Sequence, residues 1–352
     1  MGGLILLANS AAQADQTSIF EPASPPAESI RTLAILVFVI TLFIFFVVEG
    51  VLFYSIWRFR RHARDGNAAN TPQTADPTDH VTEPPQVYGS KPIEVAWTAA
   101  PALIVFVLVL VTTRTLWEIK PDTPAPAAGD NALYVTVIGH QWWWEFRYTS
   151  YNGQPLDFIT ANELHVPASE DGTPRPIYLR LESADVVHSF WVPRLAGKID
   201  LIPGVSNSLW FQTQEQGLFL GQCAEYCGTQ HAGMLLRVVV DSPQDFEAWL
   251  ANESKPAVDD PAVAQGKAAF LSESCINCHR VRGTPADGTY APDLTHLMSR
   301  QTLASGLVAN DRKNLRKWID NPHDIKEGCL MPAFGLSADK LDLIVDYLAT
   351  LK

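Results

Sequence analysis

Five cysteines fall in three groups along a chain of 352 residues: Cys223 with Cys227, Cys275 with Cys278, and Cys329 alone. A histidine follows each pair closely, His231 after the first and His279 after the second. Tight cysteine pairs beside histidines point to metal or cofactor chemistry rather than to a disulfide framework. The first cluster, Cys223-Ala224-Glu225-Tyr226-Cys227-Gly228-Thr229-Gln230-His231-Ala232-Gly233-Met234, puts two thiols, an imidazole and a thioether into one loop. Cysteine and methionine select soft metals, and a cysteine–histidine set with a weak methionine is the ligand logic of electron-transfer copper. A mononuclear site of that kind uses one cysteine. Two can bridge a pair of coppers, with a second histidine from elsewhere, and His188 is the obvious donor. Two other readings stand beside this one. A Cys223–Cys227 disulfide suits an oxidising compartment, although His231 and Met234 argue against it. A structural zinc ion is the other, but methionine is a poor zinc ligand.

The second cluster, Cys275-Ile276-Asn277-Cys278-His279, reads C-x-x-C-H. That spacing is the attachment signature for c-type haem, with two thioethers holding the porphyrin and the histidine on the iron. The competing reading is a redox or zinc pair. A sixth iron ligand should come from further along the chain: Met331, followed by Pro332, is a better candidate than Met298, whose segment also holds His296. Methionine–histidine ligation raises the haem potential, as an acceptor of electrons needs.

Elements must carry these groups, and the chain changes character twice on the way to them. Residues 33–57 and 95–117 are almost continuously apolar, each long enough to cross a bilayer as a helix. Arg58, Arg60, Arg61 and Arg64 follow the first run, so the polar segment 58–92 is expected to be a cytoplasmic loop and both termini to face outward. Trp57 and Trp97 would mark the inner interface and Trp117 the outer one. Arg114 can snorkel, whereas Glu49 inside the first run should face protein or water, which implies a membrane partner. Residues 1–14 carry a short apolar run followed by Ala12-Gln13-Ala14, a signal-like start without a basic region.

After a Pro/Ala-rich link at 121–129 the period drops to two. Leu133, Val135 and Val137 alternate along one strand, Ile177, Leu179 and Leu181 along another, and 235–240 reads as a third. An antiparallel, outward-facing β-domain is expected. It should close in a short helix through Leu250, capped by Ser242 with Pro243 at its first position. A polar linker at 253–260 precedes a helical tail over 262–274, 315–320 and 338–351, the last capped by Ser337, and no internal repeat is visible. The domains expected are thus an N-terminal segment at 1–29, a membrane hairpin at 30–120, a β-domain at 130–252 and an all-α domain at 261–352. The hydrophobic share of 47% and charged share of 18% are apolar for a soluble protein, an excess the two runs explain. The net charge of −12 argues against nucleic-acid binding. It leaves solubility, or steering of a basic protein partner, as readings of the acidic balance.

The pattern C-x-E-x-C-x3-H-x2-M, preceded by Asp185-Val186-Val187-His188-Ser189-Phe190, resembles the dinuclear copper (CuA) site of cytochrome c oxidase subunit II. The likeness extends to Gly139-His140-Gln141-Trp142-Trp143-Trp144 and to Ile93-Glu94-Val95-Ala96-Trp97-Thr98, covering about 30–250. It implies a cupredoxin-like domain in which Cys223 and Cys227 bridge both coppers, His188 and Met234 complete one, and His231 with the Glu225 carbonyl completes the other. By the same resemblance, the Glu225 carboxylate matches a magnesium ligand at the subunit I interface, Trp142 the residue that admits electrons, and Glu94 the entrance to a proton pathway. The tryptophan run also has a packing reading, with at least one ring exposed if one strand face is core; Glu94 has that of an ordinary helix-start carboxylate, and His140 reads as structural.

The tail from about Pro261 is similar to class I cytochrome c, with Gly266, Phe270 and Tyr347 at the crossing of the first and last helices and Pro292 supporting the haem histidine. Cys329 is outside that pattern and reads as a buried free thiol. A fused tail of this kind resembles caa-type oxidases. The resemblance implies that electrons from cytochrome c, or directly from a quinol–cytochrome c reductase, pass through haem c and CuA to subunit I, where oxygen is reduced, with subunit III as a further partner. The location implied is the bacterial inner membrane. Competing functions are a relay to a different terminal reductase and a membrane-anchored copper-delivery protein.

Overall fold

The computed structural model describes residues 17–59, 88–120, 126–127, 129–170 and 172–352. The signal-like start, Arg60, Arg61, Arg64 and most of the expected loop and link lie outside the described residues. Residues 32–117 form one compact unit, and the flanking residues up to Arg31 and from Glu118 onward form another.

The first unit is built on two helices, α1 (Pro25–Phe59) and α2 (Lys91–Ile119), of 35 and 29 residues. Both outrun the expected apolar segments, because polar turns extend each end. At 1.5 Å per residue each exceeds the roughly 30 Å hydrocarbon core of a bilayer. Phe43, Phe46, Phe53, Trp57, Trp97 and Trp117 are all exposed, the surface of a helix whose solvent is lipid. Glu94 lies in the first turn of α2, where an acid suits the helix dipole.

The second unit begins with two five-stranded sheets. One has the order β3-β2-β1-β5-β8 and the other β4-β10-β9-β6-β7. In sequence these are β1 (Leu133–His140), β2 (Trp143–Tyr151), β3 (Gln154–Ala161), β4 (Glu163–Pro167), β5 (Ile177–Ser183), β6 (His188–Trp191), β7 (Ile199–Leu201), β8 (Asn207–Phe211), β9 (Gly217–Cys223) and β10 (Leu235–Asp241). The expected antiparallel domain needs correction, since β1 pairs with β5 and β10 with β4 in parallel. Parallel neighbours need a crossover rather than a tight turn, and hydrophobic alternation does not report that choice. β5 and β10 keep one buried face. β1 buries Tyr134 and Ile138 as well as its inner residues, because it is the central strand of its sheet. Phe146, Phe190, Phe211 and Phe219 fill the space between the sheets. α3 (Pro243–Glu253) closes the domain, its Ser242 Oγ accepting from the Asp245 N–H at 3.1 Å.

The helical tail comprises α4 (Ala264–Ser272), α5 (Arg312–Asp320) and α6 (Ala338–Leu348), with a two-stranded hairpin of β11 (Thr302–Leu303) and β12 (Val308–Ala309). The polar segment before it is pinned, the Ala257 N–H donating to the Arg282 carbonyl at 2.9 Å. At Gly266 α4 crosses α6 so closely that an added Cβ would lie 2.1 Å from the Leu343 carbonyl oxygen and 3.0 Å from Tyr347 Cβ. The obstacle is backbone, so it cannot rotate away. Gly266→Ala should destabilise the tail by about 3 kcal/mol, the upper end for overpacking, seen as a lower midpoint for thermal loss of its near-UV circular dichroism. An unchanged midpoint would mean that the helices separate at little cost.

Candidate copper and haem sites

The copper-type ligands meet where strands of one sheet end together. Cys223 ends β9, His188 begins β6 beside it, and Met234 immediately precedes β10. The Cys223 N–H donates to the Met234 carbonyl at 3.0 Å, and the Ala224 N–H to the Ser189 carbonyl at 2.9 Å. These bonds close the loop into a cup. Inside it, Cys223 Sγ stands 3.8 Å from Cys227 Sγ, 4.0 Å from His188 Nδ1 and 3.2 Å from the Glu225 carbonyl oxygen. Cys227 Sγ stands 3.6 Å from His231 Nδ1 and 3.8 Å from Met234 Sδ. Two donors bonded to one ion at about 2.0–2.3 Å with tetrahedral angles lie roughly 3.5 Å apart. The spacings therefore fit shared metal ions, and Cys223, Cys227, His188 and Met234 are all buried. The cysteines are free thiols rather than a disulfide. Cys227 beside it, with His188 and the Glu225 carbonyl, draws the Cys223 thiol down to about 3, while the facing Cys223 and burial push Cys227 upward. The shift favours the thiolate at Cys223, the form that binds metal.

Sequence reasoning assigned no role to Asp185. Its Oδ1 stands 2.8 Å from His188 Nε2, orienting the ring with Nδ1 toward the sulfurs. Burial disfavours the charged His188, but Asp185 and Cys223 outweigh it and hold its pKa above the ordinary value. Gly139 on β1 makes room for this ring, because a Cβ there would lie 2.8 Å from His188 Cδ2. Partners of this kind typically contribute 10–100-fold to metal affinity. Asp185→Ala should weaken copper retention by about that factor, measured by chelator competition on the purified protein. Unchanged retention would show that packing alone orients His188.

The haem-type ligands line one apolar cleft of about 1370 Å³, counted to its open mouth, together with Phe270, Leu297 and Trp318. Cys275, Cys278, His279 and Met331 are all in its wall. His279 Nδ1 stands 2.8 Å from the Pro292 carbonyl and donates to it, leaving Nε2 as the lone-pair nitrogen. Burial keeps the ring neutral by lowering its pKa. The thiols, neutral imidazole, thioether and apolar walls fit a covalently held porphyrin. Met298 is absent from this wall and packs into the tail's core, its N–H on the Leu351 carbonyl. Both ring nitrogens of His296 are occupied, Nδ1 by the Lys352 carbonyl and Nε2 by the Lys255 carbonyl. Cys329 is half-buried in the cleft wall rather than fully buried, with Sγ 3.7 Å from the Met331 carbonyl oxygen.

The three tryptophans take three environments. Trp144 is wholly buried, with its ring 6.1 Å from His188. Trp143 stacks on His140 at 4.3 Å, and His140 Nε2 meets Glu145 at 3.0 Å. Trp142 donates from Nε1 to the Cys227 carbonyl at 3.0 Å, and Gln141 Nε2 donates to the same oxygen at 2.7 Å. None is exposed, contrary to the strand-face expectation, because Trp142 and Trp143 form part of the haem-type cleft. The sequence had no signal for this cover.

Three family profiles match the chain: cytochrome c oxidase subunit II, transmembrane domain, over residues 12–114; the same subunit's periplasmic domain over 133–242; and cytochrome c over 263–352. Cytochrome c oxidase subunit 2 of Alkalihalophilus pseudofirmus is 32% identical over 96% of this chain and 92% of its own length. That of Bacillus sp. strain PS3 is 34% identical over 76% of this chain and 77% of its own length. The solved periplasmic domain of subunit II of cytochrome oxidase from Bradyrhizobium japonicum is 30% identical, covering 37% of this chain and 96% of that one, with a TM-score of 0.31. The chain belongs to the cytochrome c oxidase subunit II family, in a form that carries a cytochrome c domain at its C-terminal end.

Proposed function

We propose that this subunit receives electrons at its cytochrome tail and passes them through its β-domain to subunit I of a haem–copper oxidase, which reduces oxygen. The observation that carries the order is the position of Trp142, whose indole is bonded to Cys227 while the residue also lines the cleft holding Cys275, Cys278 and His279. When bound, haem c and the dinuclear CuA centre supply the one-electron carriers. Cys275 and Cys278 would hold the porphyrin covalently, and His279 and Met331, in the same cleft, would supply ligands to its iron. Cys223, Cys227, His188, His231, Met234 and the Glu225 carbonyl would hold the copper pair, the two cysteines being the donors central to the set. The buried cup excludes water and holds the donors fixed, so little rearrangement accompanies a change of charge.

Further roles follow by resemblance. Glu225 offers its carboxylate to magnesium at the subunit I interface, and Glu94 opens a proton pathway. Cytochrome c or a quinol–cytochrome c reductase is the donor, and subunit III completes the complex. The two helices anchor the chain in the bacterial inner membrane, with the β- and cytochrome domains on the outer side. Purifying the membrane complex and recording its electron paramagnetic resonance tests this. A mixed-valence two-copper signal with co-purifying haem a and haem c is expected. Mononuclear copper without partner subunits would overturn the reading in favour of copper delivery.

A further inference from the structure

The copper loop is covered by two segments of the cytochrome tail, 301–307 and 326–328, and a buried lysine joins all three. Lys326 is 3% exposed. Its Nζ donates to the Trp142 carbonyl at 2.7 Å, the Gly233 carbonyl at 2.9 Å and the Ala304 carbonyl at 3.4 Å. Its nitrogen thus meets three carbonyl oxygens, of which one precedes the copper-type ligand Met234 and another belongs to Trp142. The Trp142 carbonyl also accepts from Ser305 Oγ at 2.8 Å. Gln230, next to His231, donates from Nε2 to the Glu327 carbonyl at 2.7 Å. From Lys326 the chain runs directly to Met331, its turn closed by the Cys329 N–H on the Lys326 carbonyl at 3.1 Å. One short strap therefore touches the copper loop at its start and the haem-type cleft at its end.

A lysine buried without a carboxylate among these partners is costly to keep charged, burial lowering its pKa to about 7, and it is retained only where its hydrogen bonds are complete. Such a group defines one docked arrangement sharply, since any slippage leaves it unpaired. At the interface margin, Glu163 Oε1 accepts from the Thr302 N–H at 2.9 Å and Oε2 from the Gln301 N–H at 2.8 Å. Those contacts hold the domains together but do not reach either set of metal ligands.

We propose that Lys326 is a positioning residue that bolts the strap carrying Met331 to the copper loop and to Trp142, fixing the separation over which electrons cross from the tail to the β-domain. The proposal rests on the electron-relay reading above. Lys326→Met keeps the length of the side chain and removes its three bonds. In the purified oxidase complex, light-triggered injection of an electron into the tail should be followed by transfer to the copper centre at least about tenfold more slowly, because losing three hydrogen bonds depletes the docked arrangement by about that factor or more. The haem c absorbance and the copper resonance should both persist. Hydrogen exchange should accelerate in 226–234 and 301–331 and nowhere else, a change independent of turnover.

Native transfer and native exchange with both spectra intact would overturn the proposal while leaving the relay reading in place. Failure of the unaltered complex to transfer electrons between the two centres would instead sink the relay reading. If Lys326→Met does not assemble, Gln230→Ala and Ser305→Ala decide the matter. Slower transfer with faster exchange at the strap in both supports the latch, and native behaviour in both removes it.

Discussion

Cys227→Ser is expected to abolish the two-copper resonance and stop electrons at the tail, while the haem c absorbance remains and is still reduced by the donor. The sulfur is central because it contacts three of the other donor groups, at 3.8 Å from Cys223 Sγ, 3.6 Å from His231 Nδ1 and 3.8 Å from Met234 Sδ. A hydroxyl oxygen is harder and shorter-reaching than a thiolate and does not hold a soft metal pair. Losing a ligand should weaken binding by more than the roughly 10–100-fold that an orienting partner contributes. Oxygen consumption should fall to that of the copper-depleted complex. The measurement is stopped-flow reduction followed in the haem c band beside resonance spectra of the same sample. Copper-to-haem a transfer at the native rate in this variant would remove the assignment of Cys227 as a bridging ligand.

Met331→Ala is expected to convert the haem c to high-spin or altered ligation, whereas Met298→Ala leaves the spectrum native. Met331 lines the cleft with His279, while Met298 packs away from it in the tail's core. Thioether ligation raises the potential relative to other ligands. Its loss should lower it by a few tenths of a volt, within the roughly 0.8 V that axial ligands span. A fall of about 0.2 V shifts a one-electron equilibrium by roughly a thousandfold. Reduction by the donor should therefore become unfavourable even though the haem stays covalently attached through Cys275 and Cys278. Spectra of the two variants, with a redox titration of each, settle the assignment. A native spectrum for Met331→Ala with an altered one for Met298→Ala would reverse it.

The legible part of this molecule was the part in which chemistry is local. Cys223, Cys227, His231 and Met234 lie in one loop, so chain connectivity alone brings their side chains within a few ångströms of each other. The same holds for Cys275, Cys278 and His279 in their turn. The membrane helices were readable because bilayer thickness imposes a minimum apolar length. The helix caps at Ser242 and Ser337 were readable because capping is a contact over three residues, and both side chains accept as expected.

Other features depend on how sheets and domains pack. The partner of Cys223 in the other half of the cup, His188, is 35 residues away and arrives only because β6 lies beside β9. The parallel pairings of β1 with β5 and β10 with β4 were hidden, since alternation records which face is buried and not which way the neighbour runs. The cover over Trp142 was hidden as well: Lys326 reaches it across 184 positions, in a polar stretch with no period to read. By itself, then, the sequence determined the two local cysteine–histidine clusters, the apolar spans and the family resemblance. Tertiary structure alone decided which methionine shares a cleft with His279, what orients His188, and which residues of the tail touch the copper-type loop. Those choices belong to contacts between residues that the chain keeps far apart and only the packed core brings together.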